Sequence, residues 1–301
     1  MSSRRPVRPD WAELPVGDHL LAECPRWDGP RQRLSWVDVL GGTLATARRL
    51  DGVWVEVEHR AFGRVPTAAE PLPDGALAVA VDGTVSVVRP DGAVTQRVAV
   101  CPDFPAVRTN DMTVDHAGRL LVGLFTEDRV SARGGVVAVD LGDGSVAPVV
   151  QGYVTANGLA VSPDGEHLYA VDTARGTLRR HRLGNGVDAG KVLVDYRGPG
   201  VLDGIALGPD GDVWVAIWGA GVVHRYDPTG RLREVATAPV RRPSAVAVVP
   251  VAATMQLVVT TARSQPVVGA TAPSRPPAHD GARKALDPSP EGRLYATPLP
   301  S

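Results

Sequence analysis

A motif that consists of a turn followed by a strand repeats along this sequence at a nearly constant interval, and this repeat restricts the fold more than any other feature. A Pro-Asp-Gly turn, or a close variant, precedes an apolar, strand-like run in residues 73–81, 115–125, 163–171 and 209–218. Asp74 and Asp164 are 90 positions apart, and Asp164 and Asp210 are 46 apart. An interval of about 45 residues is typical of the four-stranded blade of a β-propeller.

Each repeated strand is followed by a short Gly or Asp turn and a second strand, as at Asp82-Gly83 and Arg175-Gly176. Dividing 301 residues by a blade of about 45 gives a little under seven units. Allowing for an N-terminal tail and an irregular C-terminal part, we predict an all-β chain that forms a six-bladed β-propeller with four-stranded blades. A β-sandwich or a β-helix fits less well, because neither fold repeats a turn-and-strand motif at this interval.

The predicted domain organisation is simple. Residues 1–17 form an N-terminal extension, and residues 18–301 form a single propeller domain. Within that domain a proline-rich stretch at about 264–290 precedes the last strand, predicted at 293–297, and is predicted to be a long loop. Two interpretations of this loop stay open, a mobile surface insertion and a lid over a pocket.

Composition excludes several classes of protein. With 44% hydrophobic and 22% charged residues, the chain can bury a large core, and its formal net charge of -1 offers no general attraction to nucleic acid or acidic membranes. No stretch approaches the roughly 18 apolar residues of a membrane helix. Acidic residues occupy the N-terminal positions where a secretory signal would be apolar. We expect a cytoplasmic protein with a small-molecule substrate, no nucleic-acid partner and no membrane partner; the oligomeric state stays open.

Cysteine and histidine offer no obvious metal or disulfide framework. Cys24 and Cys101 lack the paired spacing of a structural zinc site. His116, His167 and His224 fall in turn or strand positions without a partner at metal-binding spacing. We therefore predict that these histidines are structural.

Four short polar motifs lie within the β pattern: Ala22-Glu23-Cys24-Pro25, Arg108-Thr109-Asn110-Asp111, Asn157-Gly158-Leu159-Ala160 and Asp203-Gly204-Ile205-Ala206. In a closed propeller they could meet at one axis, where two carboxylates and carboxamide oxygens would offer a hard divalent cation an oxygen-rich site. Most Asp-Gly and Asn-Gly pairs simply form turns. Asn157 and Asp203 differ, because each begins an apolar strand and they are 46 positions apart.

In their order and spacing, these motifs resemble those of the SMP-30/gluconolactonase/LRE-like family. The resemblance extends from about Glu23 to Arg263, and it is carried by residues 23–27 with 34–38, 108–111 with 114–118, 157–165, 203–206 with 213–218, and 258–263. It implies a calcium- or zinc-dependent six-bladed propeller of the kind that includes gluconolactonases and other lactonases.

The resemblance also implies roles for particular residues. The metal ligands would be Glu23, Asn157 and Asp203, and the substrate contacts would be Arg108, Asn110 and Glu127. One divalent ion is expected; an all-oxygen ligand set favours Ca²⁺, with Zn²⁺, Mn²⁺ and Mg²⁺ as alternatives. Asp111 is expected to be structural. Arg108 could instead pair with Asp111, and Glu127, next to Asp128 and Arg129, could belong to a solvated turn.

The predicted function is hydrolysis of a small lactone, with the ion polarising the carbonyl group and Asp203 accepting a proton from water. Two residues depart from the family pattern where glycine is common: Cys24 is expected to alter the pocket floor, and Met112 to add bulk near the substrate-contacting segment. A Cys24 thiolate at the metal or as a nucleophile is a further alternative. The departures motivate a second hypothesis, recruitment to specialised metabolism for rearrangement, dehydration or cyclisation. A third is a non-catalytic, ligand-binding propeller.

Overall fold

The computed structural model describes residues 5–50, 52–62, 64–184, 186–263 and 290–299, and these residues form strands and turns without a helix. The strands in chain order are β1 (Ala12–Glu13), β2 (Ala22–Asp28), β3 (Arg33–Asp38), β4 (Thr43–Leu50), β5 (Val53–Ala61), β6 (Pro66–Pro71), β7 (Leu77–Val81), β8 (Thr84–Val88), β9 (Val94–Ala99), β10 (Val107–Val114), β11 (Leu120–Thr126), β12 (Gly134–Val139), β13 (Val146–Tyr153), β14 (Ala156–Val161), β15 (His167–Asp172), β16 (Thr177–Arg182), β17 (Lys191–Asp195), β18 (Val201–Leu207), β19 (Val213–Trp218), β20 (Val222–Tyr226), β21 (Leu232–Thr237), β22 (Pro243–Val251), β23 (Thr254–Thr261) and β24 (Leu294–Pro298).

These strands make six four-stranded antiparallel sheets, each a blade. Five blades are consecutive in sequence: β2–β5, β6–β9, β10–β13, β14–β17 and β18–β21. The first strand of each blade contacts the first strand of the next, and β22 contacts β2 to close the ring. The predicted six-bladed β-propeller with four-stranded blades is confirmed.

The sixth blade joins the two ends of the chain. Its order is β22, β23, β24 and β1, with Ala12 opposite Ala296 and Glu13 opposite Tyr295. The stretch 1–17, which the sequence suggested to be an extension, thus contributes the outermost strand of this blade. Leu14 and Val16, just after β1, are buried.

The predicted proline-rich loop lies, for residues 264–289, outside the described residues. The strand predicted after it is present as β24. No helix in the described part of the chain is long and apolar enough to cross a membrane.

The second strand of a blade is buried on both faces, which explains the near-continuous apolar runs in the sequence. All five residues of β7 and all seven of β11 are buried. Neighbouring blades cover both faces of these strands, so polar and apolar residues need not alternate as they do in a sheet with one wet face.

Every innermost strand carries a β-bulge against its neighbour in the blade. The register shifts fall at Glu23/Arg26, Pro66/Ala68, Thr109/Met112, Asn157/Leu159, Leu202/Ile205 and Pro243/Ala245. A bulge inserts one extra residue, bends the strand and redirects its side chains. The four polar motifs of the sequence lie at four of these six bulges.

Candidate metal centre and active site

The bulges bring the predicted site residues together from four blades. A cavity of about 200 Å³ is lined by residues that include Glu23, Arg108, Asn110, Glu127 and Asn157. Asp203 is 7% exposed and reaches this group through Asn157, whose Nδ2 donates a hydrogen bond to Asp203 Oδ1. All six residues selected from the sequence therefore converge, although their roles remain predictions.

Backbone proximity between inner strands makes this convergence possible. Gly158 has φ +44°, and a Cβ added there would lie 2.5 Å from the carbonyl oxygen of Asp203. Only glycine allows β14 and β18 to approach so closely at this point. Asn157 and Asp203 are thereby held side by side.

Two of the candidate metal ligands, Glu23 and Asp203, are carboxylic acids in surroundings that oppose their ionisation. Burial raises the pKa of Asp203 to about 8, with the charge of Asp111 adding to the effect. Burial also raises the pKa of Glu23 well above its usual range, and the charge of Asp203 raises it further. The two carboxyl groups therefore lie within electrostatic reach of each other, and a bound divalent cation would relieve their repulsion.

The donor set fits a hard divalent ion. Glu23 and Asp203 would supply two negative charges, and Asn157 a neutral amide oxygen. Asn157 Oδ1 accepts a hydrogen bond of 2.9 Å from the Gly158 amide, which leaves its second lone pair free. Oxygen donors with this charge suit calcium or magnesium, and zinc also accepts carboxylates.

The predicted substrate contacts lie on the third blade. Arg108 Nη1 donates to Glu127 Oε1 at 2.6 Å, so Arg108 pairs with Glu127 rather than with Asp111. Asn110 Nδ2 donates to the carbonyl oxygen of Ala156 at 3.0 Å, which leaves its side-chain oxygen available. Glu127 lines the cavity even though its side chain is 37% exposed.

Asp111 lines the cavity and belongs to a hydrogen-bond network that the sequence did not reveal, and its structural role stays a prediction. Arg26 Nη2 donates to Asp111 Oδ1 at 2.8 Å, and Arg26 Nε donates to Glu70 Oε2 at 3.0 Å. Asp111 Oδ2 accepts from the Leu159 amide at 2.8 Å. This network joins β2, β6, β10 and β14 beside the candidate metal ligands. Burial raises the pKa of Glu70 to about 7, while Arg26 opposes that rise.

Arg129 is a further residue whose place in the site the sequence did not indicate. It lines the cavity, and its guanidinium carbon lies 4.3 Å from the centroid of the Phe125 ring. The sequence showed only a charged turn after β11, and nothing in it indicated that this arginine faces the same cavity as Arg108.

The two departures from the family pattern have different outcomes. Cys24 lines the cavity and is buried, and burial raises the pKa of its thiol well above the usual range. Met112 is fully buried in the core and is not among the residues that line the cavity. Met112 belongs to the core cluster that also contains Cys24, so its bulk lies in the core next to segment 108–111. Its effect on the substrate stays a prediction.

Outside the cavity, the prediction that His167 has no partner at metal-binding spacing is wrong. Asp164, Glu166 and His167 place potential ligand atoms within 4.8 Å of one another. His167 thus has partners at metal-binding distance. Asp164 and Glu166 are exposed, as acidic residues of surface turns commonly are, and we assign no function to the group.

Comparisons with known proteins identify the family of this chain. A family model described as the SMP-30/gluconolactonase/LRE-like region matches residues 21–263. A pentonolactonase from Haloferax volcanii is 31% identical over 217 residues, which cover 70% of this chain and 71% of that protein. A 6-deoxy-6-sulfogluconolactonase from Pseudomonas putida is 31% identical over 238 residues, which cover 76% of this chain and 79% of that protein.

Solved structures share the fold. The crystal structure of regucalcin from Agrobacterium tumefaciens, described as a calcium-binding protein, matches with a TM-score of 0.78 at 23% identity and covers 96% of this chain and 94% of its own. At that identity the likeness concerns the fold alone. The family model and the two relatives go further, and the chain belongs to the SMP-30/gluconolactonase/LRE-like family.

Proposed function

We propose that this protein is a metal-dependent lactonase that hydrolyses a small cyclic ester. The observation that carries the proposal is the convergence of Glu23, Asn157 and Asp203 beside a cavity that also contains Arg108 and Asn110. A pentonolactonase and a sulfogluconolactonase among the relatives support the reaction class. At about 200 Å³ the cavity is smaller than the roughly 300–1,000 Å³ typical of drug-sized ligands, which favours a substrate of sugar size.

Glu23, Asn157 and Asp203 would hold the ion, with Ca²⁺ the favoured candidate. When bound, the ion would make the lactone carbonyl more electrophilic and stabilise the negative charge that develops on its oxygen.

The side chains of the chain itself would position the lactone and move the proton. Asp203 would accept a proton from the attacking water as the water oxygen bonds to the carbonyl carbon. The bond between that carbon and the ring oxygen then breaks, and the proton passes to the ring oxygen to give a hydroxy acid. Arg108 and Asn110 would hydrogen bond to the hydroxyl groups of the sugar.

Lactone hydrolysis with and without a chelator tests this proposal. We expect turnover of one or more aldonolactones or simple γ- or δ-lactones that stops when a chelator is added and returns with calcium, zinc or manganese. Asp203→Asn should lower kcat by about 100-fold or more, because it removes the proton acceptor and one ligand charge. The matched control is Asp143→Asn, which changes the same charge in an exposed turn of the same propeller.

Metal binding is measured separately by calorimetry on the same proteins. The wild type and Asp143→Asn should bind one divalent ion, and Asp203→Asn should bind it more weakly. Wild-type activity in folded Asp203→Asn, or hydrolysis that persists after the metal is removed, would refute the site assignment.

A further inference from the structure

The candidate site contains a positive charge that the lactonase reaction does not require. Glu23 and Asp203 would balance a divalent ion, and Arg108 is paired with Glu127 at 2.6 Å. Arg26 is held between Glu70 and Asp111. Arg129 is the remaining cation among the described residues that line the cavity.

Among the residues that the structure describes, the Arg129 guanidinium donates no hydrogen bond and forms no ion pair. Its contact is with the ring of Phe125, at 4.3 Å from guanidinium carbon to ring centroid. An aromatic face covers one side of a guanidinium but leaves its N–H groups free around the edge, in the plane where they bind an oxyanion with two parallel hydrogen bonds.

The local backbone holds Arg129 in place. The residue has φ +55°, an uncommon conformation for a side chain other than glycine. Its amide donates to the carbonyl oxygen of Thr126 at 3.0 Å, and Asp128 Oδ1 accepts from the amides of Val130 and Ser131 at 3.0 and 2.9 Å. The turn after β11 is thus fixed by its own hydrogen bonds. The Arg129 side chain is exposed to solvent, and the ring of Phe125 packs against one face of its guanidinium.

We propose that the cavity accepts lactones that carry an acidic substituent, such as a carboxylate, phosphate or sulfonate, and that Arg129 binds this group. The lactone part of this inference rests on the proposed function; the pairing of Arg129 with an anionic substituent does not. Arg129 is then a specificity-determining residue, separate from the metal ligands and from the Arg108–Glu127 pair.

Equilibrium binding of compounds that cannot be hydrolysed tests the anion site directly. The probes are 1,5-anhydroglucitol and its 6-phosphate, which differ only in the charged group, measured by calorimetry with the same divalent ion present. We expect the phosphate to bind about 10- to 100-fold more tightly, the range expected for hydrogen bonds to a charged group. In Arg129→Gln this difference should largely disappear.

The matched control is Arg133→Gln. Arg133 lies in the same β11–β12 connection, but it pairs with Asp103 and is not among the cavity-lining residues. In this control the preference for the phosphate should remain. Equal binding of the two probes by the wild type, or a preference that survives in Arg129→Gln, would overturn the proposal.

Turnover distinguishes failure of this inference from failure of the lactonase function. The substrates are 6-phosphogluconolactone, a glucaric acid lactone and neutral gluconolactone. We expect kcat/KM to favour the acidic lactones and this ratio to fall by about 10-fold or more in Arg129→Gln. Hydrolysis with a ratio unchanged in Arg129→Gln refutes the anion site and leaves the lactonase assignment intact. Tight, Arg129-dependent binding of the phosphate probe without hydrolysis of any lactone supports the anion site and refutes the lactonase assignment.

Discussion

Asp203 and Glu23 are carboxylic acids whose surroundings disfavour the charged form. Water normally stabilises a carboxylate, and burial removes that stabilisation. The charge of Asp111 raises the pKa of Asp203 further, and the charges of Asp203 and Asp111 raise the pKa of Glu23. The pKa of Asp203 rises to about 8 as a result. A divalent ion binds the ionised form, so metal binding and proton release should be linked at this site.

This linkage predicts how the stability of the metal-free protein depends on pH. An aspartate in the unfolded chain has a pKa of about 3.9, so the folded pKa of Asp203, about 8, lies above it. Because the folded state favours the protonated form, the contribution of Asp203 to the free energy of unfolding is complete below about pH 4. That contribution is lost as the pH rises through about 8. We therefore expect the Tm of the chelated wild type to fall between pH 5 and 8.5.

Thermal denaturation over that pH range, with and without a divalent ion, checks the prediction. The ion should raise the Tm most at the alkaline end. In Asp203→Asn the metal-free profile should be flatter, whereas Asp143→Asn should follow the wild type. Parallel profiles for the wild type and Asp203→Asn would show that Asp203 titrates normally in the folded protein.

At the scale of strands, the important feature is the bulge in every inner strand. In β18 the bulge contains Asp203 and Gly204. A Cβ added to Gly204 would meet Ala245 of β22, with its Cα at 2.6 Å. The glycine thus allows two blades to approach backbone to backbone, and that approach fixes the direction of the adjacent Asp203.

Gly204→Ala is expected to lower both stability and metal affinity. The added methyl group must displace β22 or β18, which should cost about 1–3 kcal/mol in the free energy of unfolding and shift Asp203 from its partner Asn157. Urea denaturation and calorimetric metal titration measure the two effects. Gly184→Ala is the control, because a Cβ there has nothing within 4 Å. Unchanged metal affinity in Gly204→Ala would mean that the bulge does not position Asp203.

For the whole molecule, stability depends on closing the ring. The sixth blade takes β22, β23 and β24 from the end of the chain and β1 from its beginning. Leu14 and Val16 next to β1 join the core cluster that includes Leu34 and Trp36 of the first blade. The N-terminal segment therefore ties the first and sixth blades together.

Deletion of residues 1–16 should destabilise the propeller severely. Losing the burial of Leu14 and Val16 alone should cost roughly 3–6 kcal/mol, a large part of the 5–15 kcal/mol typical of a folded domain. Deletion of residues 1–10, which keeps β1 and both apolar side chains, should cost much less. Urea denaturation of the two truncated proteins measures the difference. Equal stability of both would show that β1 does not contribute to closure.

The sequence by itself determined the blade architecture and the set of candidate ligands. Blade period and apolar runs are local properties, since each strand pairs mainly with its neighbour in the chain. Glu23, Asn157 and Asp203 were predicted as ligands because their motifs resemble those of the SMP-30/gluconolactonase/LRE-like family, and a repeat architecture allows such motifs to meet at the axis.

Only the tertiary structure decided what those residues contact. Arg26 and Asp111 are 85 positions apart and become hydrogen-bonded partners through ring closure, which no local pattern records. Met112 is buried in the core, the turn after β11 brings Arg129 to the cavity, and β1 pairs with β24 in the sixth blade. The physical reason is the same in each case: a side chain's direction and partners depend on how whole sheets pack, whereas the repeat depends only on the residues within one sheet.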